Sequence, residues 1–196
     1  DSLIKRGFIT PCRVFVLELN YATPDQRAQF ALIHKKTEDR KGLMNLEKSF
    51  AIESRQRLEF ITDFILKNDK NALVLFHRVE YGNSLYNMLR QKASRPIYYI
   101  DGGVNSGNRE DYKDDMEDGT QKILVASFGT FSTGINVRNI HTVYLTESFK
   151  SEVIIRQSIG RGLRKHASKD VLTVVDFVDD FRCRGFVNYL YRHSVE

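Results

Sequence analysis

Apolar residues recur along this chain with two different periods, and the switches between them outline its elements. After a lead-in over residues 1–11 that ends at Pro11, the stretch Arg13–Leu19 is β-prone and predicts a first strand. Thr23-Pro24 sets an N-cap residue before proline at the first helical position, predicting a helix towards His34. Charged residues and Gly42 fill 35–46, which reads as a solvated loop. From about Glu47 to Lys67, Ile52, Leu58, Ile61, Phe64 and Ile65 keep a helical rhythm. Ala72–Phe76 is an unbroken apolar run of strand length, the pattern of a strand buried on both faces. Beyond it helices and strands follow one another. The pattern predicts a helix over Asn83–Ala93, a strand over Pro96–Ile100 with a turn at Asp101-Gly102-Gly103, and a charged helix over Asn108–Met116 closing near Gly119. Strands at Lys122–Ala126 and His141–Leu145, a helix over Glu152–Arg164, a strand at Val171–Val175 and a final helix over Phe181–His193 complete it.

Such alternation predicts an α/β fold, a parallel sheet with helices on both faces. Ligands of these sheets gather at the carboxyl ends of the strands. The 196 residues suffice for one domain with a real core. Residues 1–70 read as a lead-in strand and helices, and 71–196 as the core. There is no internal repeat.

The chemistry concentrates in two stretches. At about 100° per residue, Ile155, Ile159 and Leu163 stack on one face of the helix ending at Arg164. Gln157, Arg161 and Arg164 then share the opposite face, one amide and two guanidiniums aimed at one place. Gly160 and Gly162 each cost a helix about 1 kcal/mol relative to alanine, so something is expected to approach the backbone closely there. About 20 residues upstream, after the strand ending at Ala126, lies Ser127-Phe-Gly-Thr-Phe-Ser-Thr-Gly-Ile-Asn136, rich in glycine and hydroxyls. As a loop at a strand's carboxyl end it can hold phosphate oxygens without a net charge.

Composition adds bounds rather than direction. Thirty Lys and Arg against 25 Asp and Glu give +5, compatible with a nucleic-acid partner and no more. Cys12 and Cys183 form no CxxC and stand beside no His cluster, which argues against a structural metal and suits a reducing, cytoplasmic compartment. No stretch reaches the roughly 18 apolar residues of a membrane span, and no signal peptide is visible. A start at Asp1 reads as a piece of something longer.

The two stretches resemble motifs V and VI of superfamily 2 helicases. Motif VI of that group reads Q-x-x-G-R-x-x-R, which Gln157, Gly160, Arg161 and Arg164 match at every fixed position. The form of motif V at 127–136, the run Arg156–Lys165 and the lead-in Gly7-Phe-Ile-Thr-Pro11 are similar to the helicases of T-even phages. The resemblance implies a RecA-like second motor lobe of an ATP-dependent DNA helicase that remodels branched DNA or RNA–DNA hybrids in recombination, repair and replication. If phage-encoded, it would work in the host cytoplasm. It implies that Arg161 and Arg164 reach the phosphates of ATP held with Mg²⁺ on an N-terminal RecA-like lobe, with Gln157 positioning the γ-phosphate. It assigns Gly134, Asn136 and Gly160 to the nucleotide; many relatives carry aspartate where Asn136 stands, and an amide still bonds ribose hydroxyls. It assigns Ser127, Thr130, His77, Arg78, Gly103 and Arg109 to the nucleic-acid backbone, and lets Glu147 and Lys150 link motif V to the nucleotide.

The phosphate loop G-x-x-x-x-G-K-[ST] and a DEAD- or DEAH-like acidic pair are missing from these 196 residues, so the chain alone is not expected to hydrolyse ATP. Asp176, Asp179 and Asp180 could bind Mg²⁺ or act as acid and base, but capping and surface roles fit their position after the last strand better. Two other readings stand beside the helicase: the motor of a restriction enzyme or remodelling translocase, and a non-catalytic nucleic-acid-binding module.

Overall fold

The computed structural model describes residues 8–21, 23–36, 39–148 and 151–181. Among them are six strands: β1 Cys12–Leu19, β2 Ala72–Phe76, β3 Ile97–Ile100, β4 Ile123–Ser127, β5 Thr142–Leu145 and β6 Leu172–Asp179. The helices are α1 Pro24–Lys36, α2 Arg40–Glu53, α3 Arg55–Leu66, α4 Val79–Lys92, α5 Ser106–Asp118, α6 Phe128–Gly134 and α7 Glu152–Gly162. One sheet runs in the order β1-β6-β5-β2-β4-β3, and every neighbouring pair is parallel. The expected α/β architecture is therefore present.

Alternation along each strand divides the core in two. Leu73, Leu75, Leu124, Val143 and Val174 face a core closed by Phe128 and Phe131 of α6 and by Ile154, Ile155 and Ile159 of α7. Ala72, Val74, Phe76, Val125 and Phe177 face the other, closed by Ile61 and Ile65 of α3 and Leu85 and Leu89 of α4. Gly82 lets α4 lie directly on the Phe76 ring, because a Cβ there would come within 2.5 Å of it. At the open edge, β1 pairs among the described residues only with β6, and Val14, Phe15 and Val16 are 62%, 52% and 53% exposed.

Several elements depart from the sequence pattern. Residues 40–46 are helical rather than looped, because the Asp39 carboxylate accepts the amides of Lys41 and Gly42 and starts α2. The single helix expected over 47–67 is two, broken at Ser54, whose hydroxyl caps α3 through the Arg57 amide. Residues 128–134 form a short helix instead of a loop, with the aromatic pair Phe128 and Phe131 inside the core. The motif VI helix ends at Gly162, before Arg164. Strand β6 runs on to Asp179. The helix expected over 181–193 lies outside the described residues, apart from Phe181. The first helix opens as expected, with Thr23 and Gln26 capping each other's amides.

The acidic residues after the last strand also change character. Asp179 is buried and pairs with the buried Arg57 of α3, whose Nε and Nη2 donate to its carboxylate. Asp180 is buried as well, its amide donating to the Leu19 carbonyl at 2.8 Å. Asp176 is half-buried; burial and then the Asp179 charge push its carboxyl up to about 7, against the pull of Arg57.

Two outcomes follow from these contacts. Ser54→Ala removes the α3 cap and lowers stability by about 1 kcal/mol, a loss of roughly 2–4 °C in a thermal melt for a domain of this size, while Ser54→Asp keeps the midpoint. Asp176 binds a proton more readily folded than unfolded, so its contribution to stability falls as pH rises from about 4 through about 7. Asp176→Asn therefore raises the melting midpoint at pH 8, and the gain over wild type shrinks as pH is lowered towards 4.

Candidate nucleotide and nucleic-acid interface

Parallel register puts the carboxyl ends of all six strands on one edge of the sheet, where His77, Arg78, Gly103 and Ser127 fall, whereas Arg161 and Arg164 stand at the far end of α7, beside the amino ends of β5 and β6. Ser127 is both the last residue of β4 and the N-cap of α6. Its hydroxyl accepts the Thr130 amide at 3.3 Å and donates to the Thr130 hydroxyl at 2.8 Å. Both side chains are half-buried. Gly134 closes α6, and Ile135 then turns into the core. Asn136 is half-buried, and its buried Oδ1 accepts no hydrogen bond from the described residues. A buried acceptor left open is costly, and a ligand hydroxyl is the kind of group that satisfies it.

The helix α7 meets this segment with the face opposite its isoleucines. Arg161 is half-buried and its Nη1 donates to the Ile135 carbonyl at 2.8 Å. Gln157, one turn earlier, is exposed. Arg164 is exposed too, but the helical period does not place it. It follows the last helical residue and forms an antiparallel bridge with Ile9, while the Thr10 amide donates to the Leu163 carbonyl at 2.8 Å. Its amide still donates to the Arg161 carbonyl at 3.3 Å, so the helix end and the lead-in set its position together. Of the two glycines, Gly162 is the one that is approached closely: a Cβ there would sit 3.1 Å from Leu172, so the helix end rests on the sheet. Gly160 faces open space.

Sequence reasoning missed Lys169. Its buried ammonium donates to the carbonyls of Gly162 at 2.7 Å and Arg138 at 2.6 Å, and burial pushes its pKa down to about 8. It thus meets the negative end of α7, the place a cation favours, and ties it to the chain just beyond Asn136. A lysine in the second turn after a helix stop was the available signal.

On the neighbouring strands, His77 and Arg78 leave β2 with both amides donating to Glu147 Oε2, at 2.7 and 3.1 Å. Glu147 is buried and burial pushes its carboxyl up, while those two amides pull it back. The exposed His77 ring has its pKa lowered by partial desolvation and by the Lys48 and Arg78 cations. Gly103 is exposed in the turn after β3, its amide donating to Asp101 Oδ1 at 2.8 Å. Arg109 folds back over that turn, donating to the carbonyls of Asp101 at 3.0 Å and Gly102 at 3.4 Å, so part of its fork is spent on the protein itself. Lys150 lies outside the described residues.

Comparison with known proteins accords with this arrangement. The ATP-dependent DNA helicase uvsW of Enterobacteria phage T4 is 36% identical over 142 residues, covering 67% of this chain and 28% of that protein. The crystal structure of T4 UvsW superposes with a TM-score of 0.73 at 28% identity, over 95% of this chain and 38% of that one. A DNA-bound type ISP restriction–modification enzyme, LlaBIII, shares the fold at a TM-score of 0.60 and 17% identity, over 99% of this chain and 14% of that one. The chain thus spans well under half the length of the phage helicase and of the restriction enzyme. The model of the helicase conserved C-terminal domain matches residues 56–166, more than half of the 196 and inclusive of both motif stretches. The chain, with its RecA-like parallel sheet, belongs to the helicase conserved C-terminal domain family.

Proposed function

We propose that this chain is the second motor lobe of an ATP-dependent DNA helicase that remodels branched DNA or RNA–DNA hybrids in recombination, repair and replication. The observation that carries the reading is the Arg161–Ile135 bond, which seats the motif VI helix against the motif V segment with its arginine away from the apolar core. The similarity to the phage T4 helicase supports the same assignment.

In this reading ATP and its Mg²⁺ are held mainly by an N-terminal RecA-like lobe, and this chain completes the site from across the cleft. Negative charge spreads over the transferred phosphoryl group, and a guanidinium against it is worth about 10³–10⁵ in rate. Arg164 and Arg161 supply that charge, guanidinium forks being suited to bidentate contact with phosphate oxygens. Gln157 orients the γ-phosphate, Asn136 Oδ1 accepts a ribose hydroxyl, and the backbone at Gly134 and Gly160 lies beside the nucleotide. Arg78, His77, Gly103, Ser127 and Thr130 track the phosphates of one nucleic-acid strand, with Arg109 shaping the turn that presents Gly103. Among the described residues no helix is long and apolar enough to cross a membrane. The proposed place of work is the cytoplasm, that of the host cell if the chain is phage-encoded. The DNA-bound restriction enzyme with the same fold keeps a translocase motor as the second reading; strand separation by the purified two-lobed protein separates the two.

In a two-lobed protein carrying this chain, Arg164→Ala should lower DNA-stimulated ATP turnover by about 10³-fold or more with DNA affinity and melting midpoint nearly unchanged. Arg161→Ala should lower turnover similarly and also cost stability, because the Ile135 carbonyl loses its donor. Wild-type turnover in both variants would remove the arginine-finger assignment and favour a binding module. Arg78→Ala should instead weaken binding to all DNA sequences alike and reduce the slope of log affinity against log salt by about 1.

A further inference from the structure

The helices between residues 24 and 67 have no part in the site as drawn so far, yet one of their side chains reaches its foundations. Arg57 on α3 is 1% exposed. Besides the Asp179 carboxylate, its guanidinium donates through Nη1 to the Tyr81 hydroxyl at 3.0 Å and through Nη2 to the Thr146 carbonyl at 2.8 Å. Thr146 stands at the head of the connection from β5 into α7. Its amide and hydroxyl both donate to the Leu75 carbonyl, at 3.2 and 2.7 Å. The next residue, Glu147, receives the amides of His77 and Arg78. Ser151, which caps α7, follows a few residues on.

A single buried fork thus touches three places at once: the end of β6, the start of α4 and the Thr146–Glu147 corner that follows β5. Burying a guanidinium is costly unless every partner is in place, and apolar residues of similar volume commonly hold two elements together at least as well. Directed hydrogen bonds supply what apolar packing does not, a set angle and register. The loop it orients carries the residue that clamps His77 and Arg78 and leads to the helix that bears Arg161.

We propose that Arg57 is a positioning residue of the motor, a strut through which α3 aligns the Thr146–Glu147 corner and so couples the nucleic-acid contacts at 77–78 to the arginine helix α7. This rests on the reading of α7 as the arginine-bearing helix of an ATPase. Two variants in the full two-lobed protein test it. The apolar pair Arg57→Met with Asp179→Leu leaves no buried charge unpaired and is expected to fold. Arg57→Lys keeps a cation against Asp179 but cannot also reach Tyr81 and Thr146. For each, the amides of His77 and Arg78 should exchange with solvent at least tenfold faster, and the ratio of DNA-stimulated to unstimulated ATP turnover should fall at least tenfold. The melting midpoint of the lysine variant should drop only a few degrees. Wild-type exchange and a wild-type turnover ratio in whichever variant folds would reduce Arg57 to a packing residue and overturn the proposal. Arg161→Ala in the same protein separates the two claims. If it abolishes turnover while the Arg57 variants behave as wild type, only the strut falls. If Arg161→Ala is itself active, the ATPase reading falls and the strut's role in it falls too.

Discussion

Two cations clasp the chain that runs out of α6 to the end of α7. Arg161 takes the carbonyl of Ile135, and Lys169 takes those of Arg138 and Gly162. Two of these backbone acceptors lie where the main chain is neither helix nor ladder, and the third is the last carbonyl of α7, which has no partner further along the helix. The two stretches that carry the family's signature are consequently joined where each of them ends. In the motor proposed above, such a link suits a surface proposed to meet a nucleotide on one side and a nucleic-acid strand on the other.

The sheet gives that object its bearing. With β2 buried throughout and flanked by β4 and β5, the exits of three adjacent strands bring 77–78, 127–130 and the 146–147 corner side by side. The interior behind them is close-packed down to single atoms: Gly82 under Phe76 and Gly162 over Leu172 are points where a methyl group would meet carbon already in place. The glycines of the motif VI helix accordingly have different work. Gly162 seats the helix on the sheet, and Gly160 leaves its outer surface bare.

Much of this was legible beforehand. The inner strands announce themselves as unbroken apolar runs, since residues that meet a core on both faces have no polar position to spare. The candidate residues at 77–78 and 127–136 stand out because they follow such strands, and those at 157–164 because their order and spacing match a family. The errors have physical causes. Gly42 and its charged neighbours suggest a loop, but Asp39 satisfies two amides at once and outweighs a glycine. The apolar rhythm runs through Ser54 without interruption, and only the hydroxyl's role as a cap reveals a break. Phe128 and Phe131 sit three apart, a helical interval hidden among small polar residues. Arg57 and Asp179 are 122 positions apart, and no local pattern announces that two such charges will be buried together. Arg164 is held by the last turn of α7 and also by Ile9 and Thr10, a contact between distant segments that helical geometry could not supply.

The outer strand carries a different kind of consequence. Along β1 the three consecutive residues Val14, Phe15 and Val16 offer oil to water on alternate sides, and the rim of the strand away from β6 meets no described backbone. Such a border is a template on which a foreign strand can crystallise, hydrogen bond by hydrogen bond. A preparation of this lobe by itself is thus governed by colloidal chemistry as much as by its melting point: the modest surplus of positive charge sets how closely two copies approach, and added salt, by screening it, brings the sticky borders together.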